Sequence, residues 1–353
     1  MKILLLDLGK QLRGGQRQVY YLARHLMNID GFSPLIVAPK GAPLLNLAED
    51  EGIPHRHLIS SSDLNPINVI NFFKILKQEH PAIVHTNDAK GASLAALAKT
   101  TNKTKFKLVH TRRVSYKFKK GWSTQKYLIG DMIVGVSKEI QQRMVESGVE
   151  EKRTETIHSG IDLNRYSTQK LPNDLLTIGT IGALTRQKGT KVLLEALVHL
   201  KKDDTLPPWQ CLIAGDGPLM KDLQEQAHAN KINDKTLFLG HKDSREVLQR
   251  IDILAVPSVD GEGSNAVIKE GWATGTPLIS SNLPSNLELV TGGQNGLVFA
   301  NKDSVALASA IKSLMTSRKT GKKIRKSGFE SVKLYTDRAM AEKYAALYRE
   351  LAG

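Results

Sequence analysis

The chain has 353 residues, a length that suits two domains better than one, and 41% of its residues are hydrophobic. Its 50 Lys and Arg residues exceed its 35 Asp and Glu residues, which gives a formal net charge of +15. This composition is that of a folded globular protein rather than a disordered one, and no apolar run reaches the roughly 20 residues that cross a bilayer.

The first residues and the single cysteine indicate where the protein resides. Met1 to Asp7 is too short and too soon charged for a signal peptide, and we predict that it forms a buried strand. Cys211 is the only cysteine and lies in an apolar run, so no intrachain disulfide can form. Both observations predict a cytoplasmic protein.

Strand-like apolar runs alternate with amphipathic stretches along the first half of the chain. Lys2 to Leu8 is predicted to be a strand, and Gln16 to Met27 a helix with apolar side chains on one face. Further strands are predicted at residues 34–38, 55–59, 82–85, 107–111 and 132–136, and helices at 68–78, 91–99 and from 137. This alternation is typical of parallel strands joined by crossover helices in a doubly wound sheet.

The pattern lapses into polar, turn-rich sequence at residues 159–172 and then restarts. Strands are predicted at 176–181, 209–214, 236–239, 253–257, 277–280 and 296–299, and helices at 190–200, 219–229, 244–251 and 267–273. We therefore expect two Rossmann-like α/β domains, one over residues 1–165 and one over residues 166–353. The final helix is expected to pack back on the N-terminal domain.

The most informative segment covers residues 257–271, PSVDGEGSNAVIKEG, where a strand ends, a glycine-rich loop follows and a helix starts near Ser264. Backbone N–H groups at the start of a helix bind anions such as a diphosphate, and the helix dipole adds to this attraction. Glu262 lies in the loop and Glu270 about two turns along the helix, so one carboxylate can accept from sugar hydroxyls and the other from a ribose. Two glutamates at this spacing, taken alone, are more often solvent-exposed acids without a function. Their position in a strand–loop–helix segment favours a binding site.

This segment resembles the E-x7-E motif of family 4, a large family of retaining glycosyltransferases with the GT-B fold. Residues 270–277, EGWATGTP, are similar to that family's E-A-x-A-x-G-x-P, and residues 293–298, GQNGLV, to its G-x-x-G-L-V. Residues 182–189, GALTRQKG, resemble its G-R-L-x-x-x-K-G. The resemblance implies two facing Rossmann-like domains with a cleft between them, an acceptor-side domain first and a nucleotide-sugar domain second.

The resemblance also implies which residues bind the donor. In the family an Arg and a Lys after the first strand of the second domain hold the diphosphate; here Ala183 replaces that Arg, and Arg186 is expected to supply the guanidinium instead. The turn at residues 215–218, GDGP, resembles a family turn near the nucleotide, and His241 follows a strand where members bind the base through main chain. The donor candidates are Gly15, Arg186, Lys188, Gly215, His241, Gly263, Ser264, Asn265 and Glu270.

Two features of the first half resemble the family more loosely. Gly14 and Gly15 lie between the first strand and the first helix, like the family's GG loop near the donor phosphates and the acceptor. His110 resembles the active-site histidine that the family carries at a strand end, and His85 resembles part of its H-x-H segment. The catalytic candidates are therefore His110 and Glu262.

A basic block extends from Lys103 to Lys126, with nine Lys and Arg residues and no acidic one. Such a block suits anionic lipid headgroups, nucleic acid or a phosphorylated substrate, although a solvated basic face is the alternative. The block predicts an acceptor or membrane surface and a peripheral location on the inner face of the cytoplasmic membrane. Its candidate residues are Arg112, Arg113, Lys117, Lys119 and Lys120.

The expected function is that of a retaining hexosyl- or heptosyltransferase in the assembly of bacterial lipopolysaccharide or another surface polysaccharide. Its partners would be a nucleotide-sugar donor and a glycan or glycolipid acceptor, without nucleic acid. Two alternatives remain: a nucleotide-sugar epimerase on the same fold, and a nucleic-acid-binding protein. The net charge suggests the latter, but only 5% of residues are aromatic and no nucleic-acid-reading motif occurs.

The sequence contains no D-x-D triplet and no His/Cys cluster at metal-ligand spacing, so neither a metal nor another cofactor is expected. Glycosyl transfer should therefore continue in excess EDTA, because Lys188, Arg186 and a helix N-terminus would meet the diphosphate charge. The measurement is product formation by the dialysed protein with and without EDTA. An absolute requirement for Mn²⁺ or Mg²⁺ would contradict the prediction.

Overall fold

A computed structural model of the protein describes residues 1–63, 65–101, 105–115 and 121–353. The chain forms two compact units, of which unit 1 comprises Met1–Gly160 with Asp337–Gly353 and unit 2 comprises Ile161–Thr336. In the described part of the chain, no helix is both long and apolar enough to span a membrane.

Unit 1 is built on a seven-stranded sheet in which all neighbouring strands are parallel. The strands are β1 (Lys2–Leu6), β2 (Ser33–Pro39), β3 (His55–Leu58), β4 (Ile83–Thr86), β5 (Lys107–Arg112), β6 (Met132–Gly135) and β7 (Thr154–Thr156). Their order in the sheet is β3-β2-β1-β4-β5-β6-β7. The helices are α1 (Gly14–Leu26), α2 (Pro43–Asp50), α3 (Pro66–Glu79), α4 (Ala89–Thr101), α5 (Trp122–Leu128), α6 (Lys138–Glu146) and α14 (Asp337–Ala352).

Unit 2 has a six-stranded parallel sheet in the order β10-β9-β8-β11-β12-β13. The strands are β8 (Leu176–Ile181), β9 (Trp209–Ala214), β10 (Thr236–Gly240), β11 (Ile253–Val256), β12 (Leu278–Ser281) and β13 (Leu297–Phe299). The helices are α7 (Thr190–Lys201), α8 (Met220–Ala229), α9 (Ser244–Arg250), α10 (Ala266–Ala273), α11 (Pro284–Leu287), α12 (Ser304–Thr316) and α13 (Arg318–Val332). Short 3₁₀ turns at Arg186–Lys188 and Lys333–Tyr335 precede α7 and α14.

Both sheets have helices on their two faces, and their central strands are therefore apolar throughout. Ile3, Leu4, Leu5 and Leu6 of β1 are all fully buried, with Ile3 and Leu5 in one hydrophobic cluster and Leu4 and Leu6 in another. A continuous apolar run of this kind is what a parallel strand covered on both faces requires. The predicted fold class of two Rossmann-like α/β units is confirmed.

The strand order places one switch point in each sheet. The chain moves outward in one direction from β1 and returns to β4 on the other side of β1, and in unit 2 it does the same with β8 and β11. The loops after β1 and β4 therefore leave in opposite directions and open a crevice, and so do the loops after β8 and β11. Open α/β sheets bind ligands in such crevices.

Gly189 allows the loops after β8 and β11 to approach each other. Its φ is +64°, and a Cβ at this position would lie 2.0 Å from the carbonyl oxygen of Pro257. Gly240 has the same backbone conformation, with φ +65°, but no atom lies within 4 Å of the corresponding Cβ position. Gly189 is thus constrained by packing as well as by backbone conformation, and Gly240 by conformation alone.

The two glycines make a matched pair of substitutions. Gly240→Ala should lower the free energy of unfolding by about 1 kcal/mol, because it adds only the strain of a positive φ. Gly189→Ala should lower it by about 1 to 3 kcal/mol more, because the two loops must also move apart. Urea denaturation of both variants measures the difference, and equal losses would show that the loops do not depend on this contact.

Candidate functional site

An ion pair closes the switch point of unit 2. Lys188 lies in the turn after β8 and Glu262 in the loop after β11, and Lys188 Nζ is 2.8 Å from Glu262 Oε1. The Ser258 hydroxyl donates a hydrogen bond to the same carboxylate oxygen. The Glu262 side chain is 6% exposed and that of Lys188 27%, so the cation lies nearer to solvent than the carboxylate.

Two further hydrogen bonds hold the same loops together. Gln187 Nε2 donates to the carbonyl oxygen of Gly261 at 2.7 Å, and the backbone N–H of Val259 donates to the Gln187 carbonyl oxygen at 2.8 Å. Because both loops are tied through backbone atoms, the position of Lys188 relative to Glu262 does not depend on the ion pair alone.

Helix α10 begins at Ala266, between the predicted starts near Ser264 and at residue 267, with Asn265 as its N-cap residue. Lys269 is 1% exposed, and its ammonium donates to the Ser264 hydroxyl at 2.6 Å. Asn265 is buried and its amide lies 3.4 Å from Asn286 Oδ1. A narrow cavity of about 10 Å³ opens here, lined by Gly182, Lys188, Ser258, Asn265 and neighbouring residues.

Glu270 lies further along α10, away from the ion pair. Burial raises the pKa of its carboxyl group, and hydrogen bonds with the Ser244 and Tyr166 hydroxyls oppose this shift. Its Oε2 atom is buried, and no described residue donates a hydrogen bond to it. A buried acceptor without a donor is costly, and a ligand hydroxyl would satisfy it.

The structure does not bring all predicted donor residues together. Gly215 packs on the backbone of Gly182, where an added Cβ would lie 1.8 Å from the Gly182 carbonyl oxygen. His241 is exposed at the end of β10. Arg186 is exposed and lines a separate cavity of about 330 Å³ between α7 and α8, rather than the cavity lined by Lys188. Gly263 lies in the loop before α10, next to Glu262.

At the switch point of unit 1, two carboxylates that sequence reasoning did not identify follow β1 and β4. Asp7 accepts hydrogen bonds from Gln16 Nε2 at 2.9 Å and from the Gly9 N–H at 2.8 Å. Asp88 accepts from the Leu8 N–H at 3.1 Å. Burial, followed by the charge of Asp7, raises the pKa of Asp88 to about 6.

Gly15 and Arg113 lie together at the start of α1. A Cβ on Gly15 would be 3.7 Å from Arg113 Cδ and Nε, an ordinary van der Waals distance, so the Arg113 side chain packs next to this glycine. Arg113 donates to the Ser159 hydroxyl at 3.0 Å, and its Nε is buried with no hydrogen-bond partner among the described residues. Burial lowers the pKa of Arg113. Arg112 is buried and packs over the Tyr127 ring at 5.6 Å.

His110 is fully buried, at 0% exposure, in the core of unit 1. Its Nδ1 pairs with the Thr86 hydroxyl at 2.6 Å, and the Tyr127 ring packs edge-on against it at 5.3 Å. Burial lowers the pKa of His110 to about 3, so the imidazole is neutral at physiological pH. His85 is buried in the same way, paired with Tyr348 and Thr111 at 2.6 Å each.

The basic block is only partly described. Lys117, Lys119 and Lys120 lie outside the described residues, as does Lys103. Lys126 points inward, because its ammonium donates to the Ala89 carbonyl oxygen at 2.6 Å and to the Ser93 hydroxyl at 3.1 Å.

Two family models match the chain, one to each half. "Glycosyltransferase Family 4" matches residues 12–165, and "Glycosyl transferases group 1" matches residues 166–331. The chain belongs to the family 4 glycosyltransferases. The family assignment agrees with the resemblance drawn from the sequence motifs.

Similar proteins and structures cover the chain to different extents. Glycogen synthase of Mycobacterium tuberculosis is 34% identical over 167 residues, which is 45% of this chain and 39% of that protein. An Escherichia coli enzyme named UDP-Gal:alpha-D-GlcNAc-diphosphoundecaprenol alpha-1,3-galactosyltransferase is 25% identical over 69% of both chains. The crystal structure of HepE from Anabaena, in complex with UDP, is 18% identical with a TM-score of 0.84 and covers 99% of this chain and 100% of that one. The last comparison shows a shared fold.

Replacement of Glu270 tests whether its buried oxygen binds a ligand. Glu270→Ala should weaken binding of the nucleotide by about 1.5 to 3 kcal/mol, the usual contribution of a hydrogen bond to a charged group. Isothermal titration calorimetry measures the affinity, and Glu246→Ala, an exposed change in nearby α9, is the control. If both variants bind like the parent protein, Glu270 has no part in the site.

Proposed function

We propose that the protein is a retaining glycosyltransferase that transfers a hexose or heptose from a nucleoside diphosphate sugar to a glycan or lipid-linked acceptor. The product would belong to a lipopolysaccharide or another bacterial surface polysaccharide. The observation that carries this proposal is the Lys188–Glu262 ion pair next to the N-terminus of α10 at the unit 2 switch point, with the Oε2 of Glu270, which has no hydrogen-bond partner among the described residues, further along the same helix.

The proposed donor position follows from the charges of this group. The diphosphate would lie against the Lys188 ammonium and the free backbone N–H groups at the start of α10, which both attract anions. Glu262 would then accept from sugar hydroxyls, and the unpaired Oε2 of Glu270 from the ribose. No metal ion is part of this proposal.

The donor would displace part of the resting structure. Lys188 is bound to Glu262 before a ligand enters, so a diphosphate would replace the carboxylate as the partner of the ammonium. Glu262 would keep its hydrogen bond from Ser258 and gain free acceptor capacity toward the sugar. One charge contact would be exchanged for another, so the favourable free energy of donor binding would come from the added contacts with the sugar hydroxyls.

The chemical step would take place on one face of the sugar. The bond between the anomeric carbon and the phosphate oxygen breaks, and the leaving diphosphate keeps the electron pair. The acceptor hydroxyl oxygen bonds to the same face of that carbon, and its proton passes to a leaving phosphate oxygen. The protein would contribute positioning and electrostatic stabilisation of the leaving group, the latter through Lys188.

Unit 1 would supply the acceptor side. Gly15, Arg112 and Arg113 lie near the carboxyl edge of its sheet, and the buried Nε of Arg113 is a free donor there. His110 would act from beneath this edge through Thr86, because its ring is enclosed in the unit 1 core. The basic block would add contacts with an anionic acceptor or with the inner face of the cytoplasmic membrane.

The related proteins support the donor and acceptor classes. HepE of Anabaena was crystallised with UDP, and the E. coli relative carries UDP-galactose and a diphosphoundecaprenol acceptor in its name. The nucleoside diphosphate of these donors agrees in chemistry with a site that offers a cation, a helix N-terminus and two carboxylates.

Nucleotide selection and product analysis test the proposal together. One of UDP, GDP, ADP and CMP should stabilise the protein in a thermal-shift panel, by about 2.7 kcal/mol at 100 times its dissociation constant. With the matching sugar nucleotide and an acceptor glycan, NMR should show release of the nucleoside diphosphate and a product with the donor's anomeric configuration. An isomerised sugar nucleotide without release would indicate the epimerase, and an inverted product would rule out the retaining reaction.

A further inference from the structure

Helix α13 of unit 2 carries a dense basic surface that the proposed transfer reaction does not use. Six Lys and Arg side chains are exposed on its first nine residues, which contain no acidic side chain. With 3.6 residues per turn, the six lie within a roughly 160° arc opposite the buried side chains of the helix. This α13 basic face comprises Arg318, Lys319, Lys322, Lys323, Arg325 and Lys326.

The charges of the α13 basic face are not neutralised within the protein. None of the six forms an ion pair with a described residue, whereas Lys333 just beyond the helix pairs with Glu330 and Lys312 of α12 pairs with Asp203. Lys319 and Lys323 stand one turn apart, as do Lys322 and Lys326, and like charges at this spacing repel. Without a partner, α13 is therefore destabilised by repulsion between its own cations, and an anionic partner would offset this repulsion.

The placement of the charges along the helix adds to this destabilisation. Cations are favourable near the C-terminus of a helix and unfavourable near its N-terminus, where the dipole is already positive. Arg318 and Lys319 form the first turn of α13, and the helix has no basic residue in its last turn. The sequence thus concentrates positive potential at one end instead of balancing it.

We propose that the α13 basic face docks on the headgroups of an anionic lipid bilayer. An extended surface of negative charge can contact all six cations at once, and each Lys or Arg near such a surface adds to the attraction. Leu334, in the turn directly after α13, is 67% exposed and adds an apolar side chain at the opposite end of the helix from the cations.

The same face is poorly suited to nucleic acid. Proteins that bind single strands combine cations with aromatic platforms on which bases stack. The one aromatic side chain of α13, Phe329, is half-buried, and its ring lies against Arg325 and the backbone of Gly275. The α13 basic face offers charge without a stacking surface, which fits lipid headgroups.

Vesicle sedimentation tests the proposal with the full-length protein. We expect binding to phosphatidylglycerol-containing vesicles, weak binding to pure phosphatidylcholine, and loss of binding at 0.5 M salt, where the Debye length is only about 4 Å. The triple variant Lys322→Glu, Lys323→Glu, Lys326→Glu should weaken the partition coefficient at least about 100-fold, given the usual contribution of three cations.

A matched variant distinguishes the effect of the α13 basic face on vesicle binding from the effect of the total net charge. Lys202→Glu, Lys221→Glu, Lys242→Glu changes three exposed lysines elsewhere on unit 2 by the same total charge and should retain binding. Thermal unfolding and nucleotide affinity, measured on both variants, show that the fold and the donor site persist. The proposal is overturned if the α13 variant binds like the parent, if both variants lose binding equally, or if the parent prefers single-stranded RNA to vesicles at equal salt.

Discussion

The contact between Lys188 and Glu262 is the constraint on which the unit 2 site depends. It joins the loops after β8 and β11, which the strand order would otherwise send in opposite directions. Gly189 makes the approach sterically possible, and Gln187 fixes it through one side-chain and one backbone hydrogen bond. Because the carboxylate is nearly buried and the ammonium is not, an anion that entered from solvent would meet Lys188 before Glu262. The ion pair and the Gln187 hydrogen bonds together hold the two loops in place without a ligand.

The two units have the same strand order at their switch points but different charged groups at the centre. Unit 2 places the Lys188–Glu262 ion pair there, whereas unit 1 places Asp7 and Asp88, and the charge of Asp7 helps to raise the pKa of Asp88. Arg113 lies nearby and is the group of opposite charge that partly offsets Asp7. A common topology therefore carries different chemistry in the two units, since the topology sets the position of the loops and the side chains set their chemistry.

Sequence patterns were sufficient for the fold and for the placement of Glu262 in the loop before α10 and of Glu270 within that helix. Alternating strands and helices predict parallel sheets, and the spacing of Glu262 and Glu270 follows from one loop and one helix. The contacts that support these residues could not be predicted, because they join positions far apart in the chain: Lys188 with Glu262, and Ser244 with Glu270. The burial of Glu262 and of the Glu270 Oε2 atom could not be predicted for the same reason.

His110 shows this limit most clearly. A histidine at a strand end suggests exposure at the carboxyl edge of the sheet, but the side-chain direction depends on α5, whose Tyr127 covers the ring. The basic segments show a second limit. The basic block around Lys117 was evident in the sequence, whereas the α13 basic face becomes distinct only when its lack of ionic partners is known.

Helix α14 has a consequence for the order in which the chain can fold during synthesis. Unit 2 is contiguous, while unit 1 needs α14, which the ribosome makes after all of unit 2. Tyr344 and Tyr348 of α14 are buried in the unit 1 core, where their hydroxyls meet Thr111 and His85. The first unit to be translated is therefore the last to complete its interior, and its nascent form must leave those buried polar groups solvated until α14 emerges.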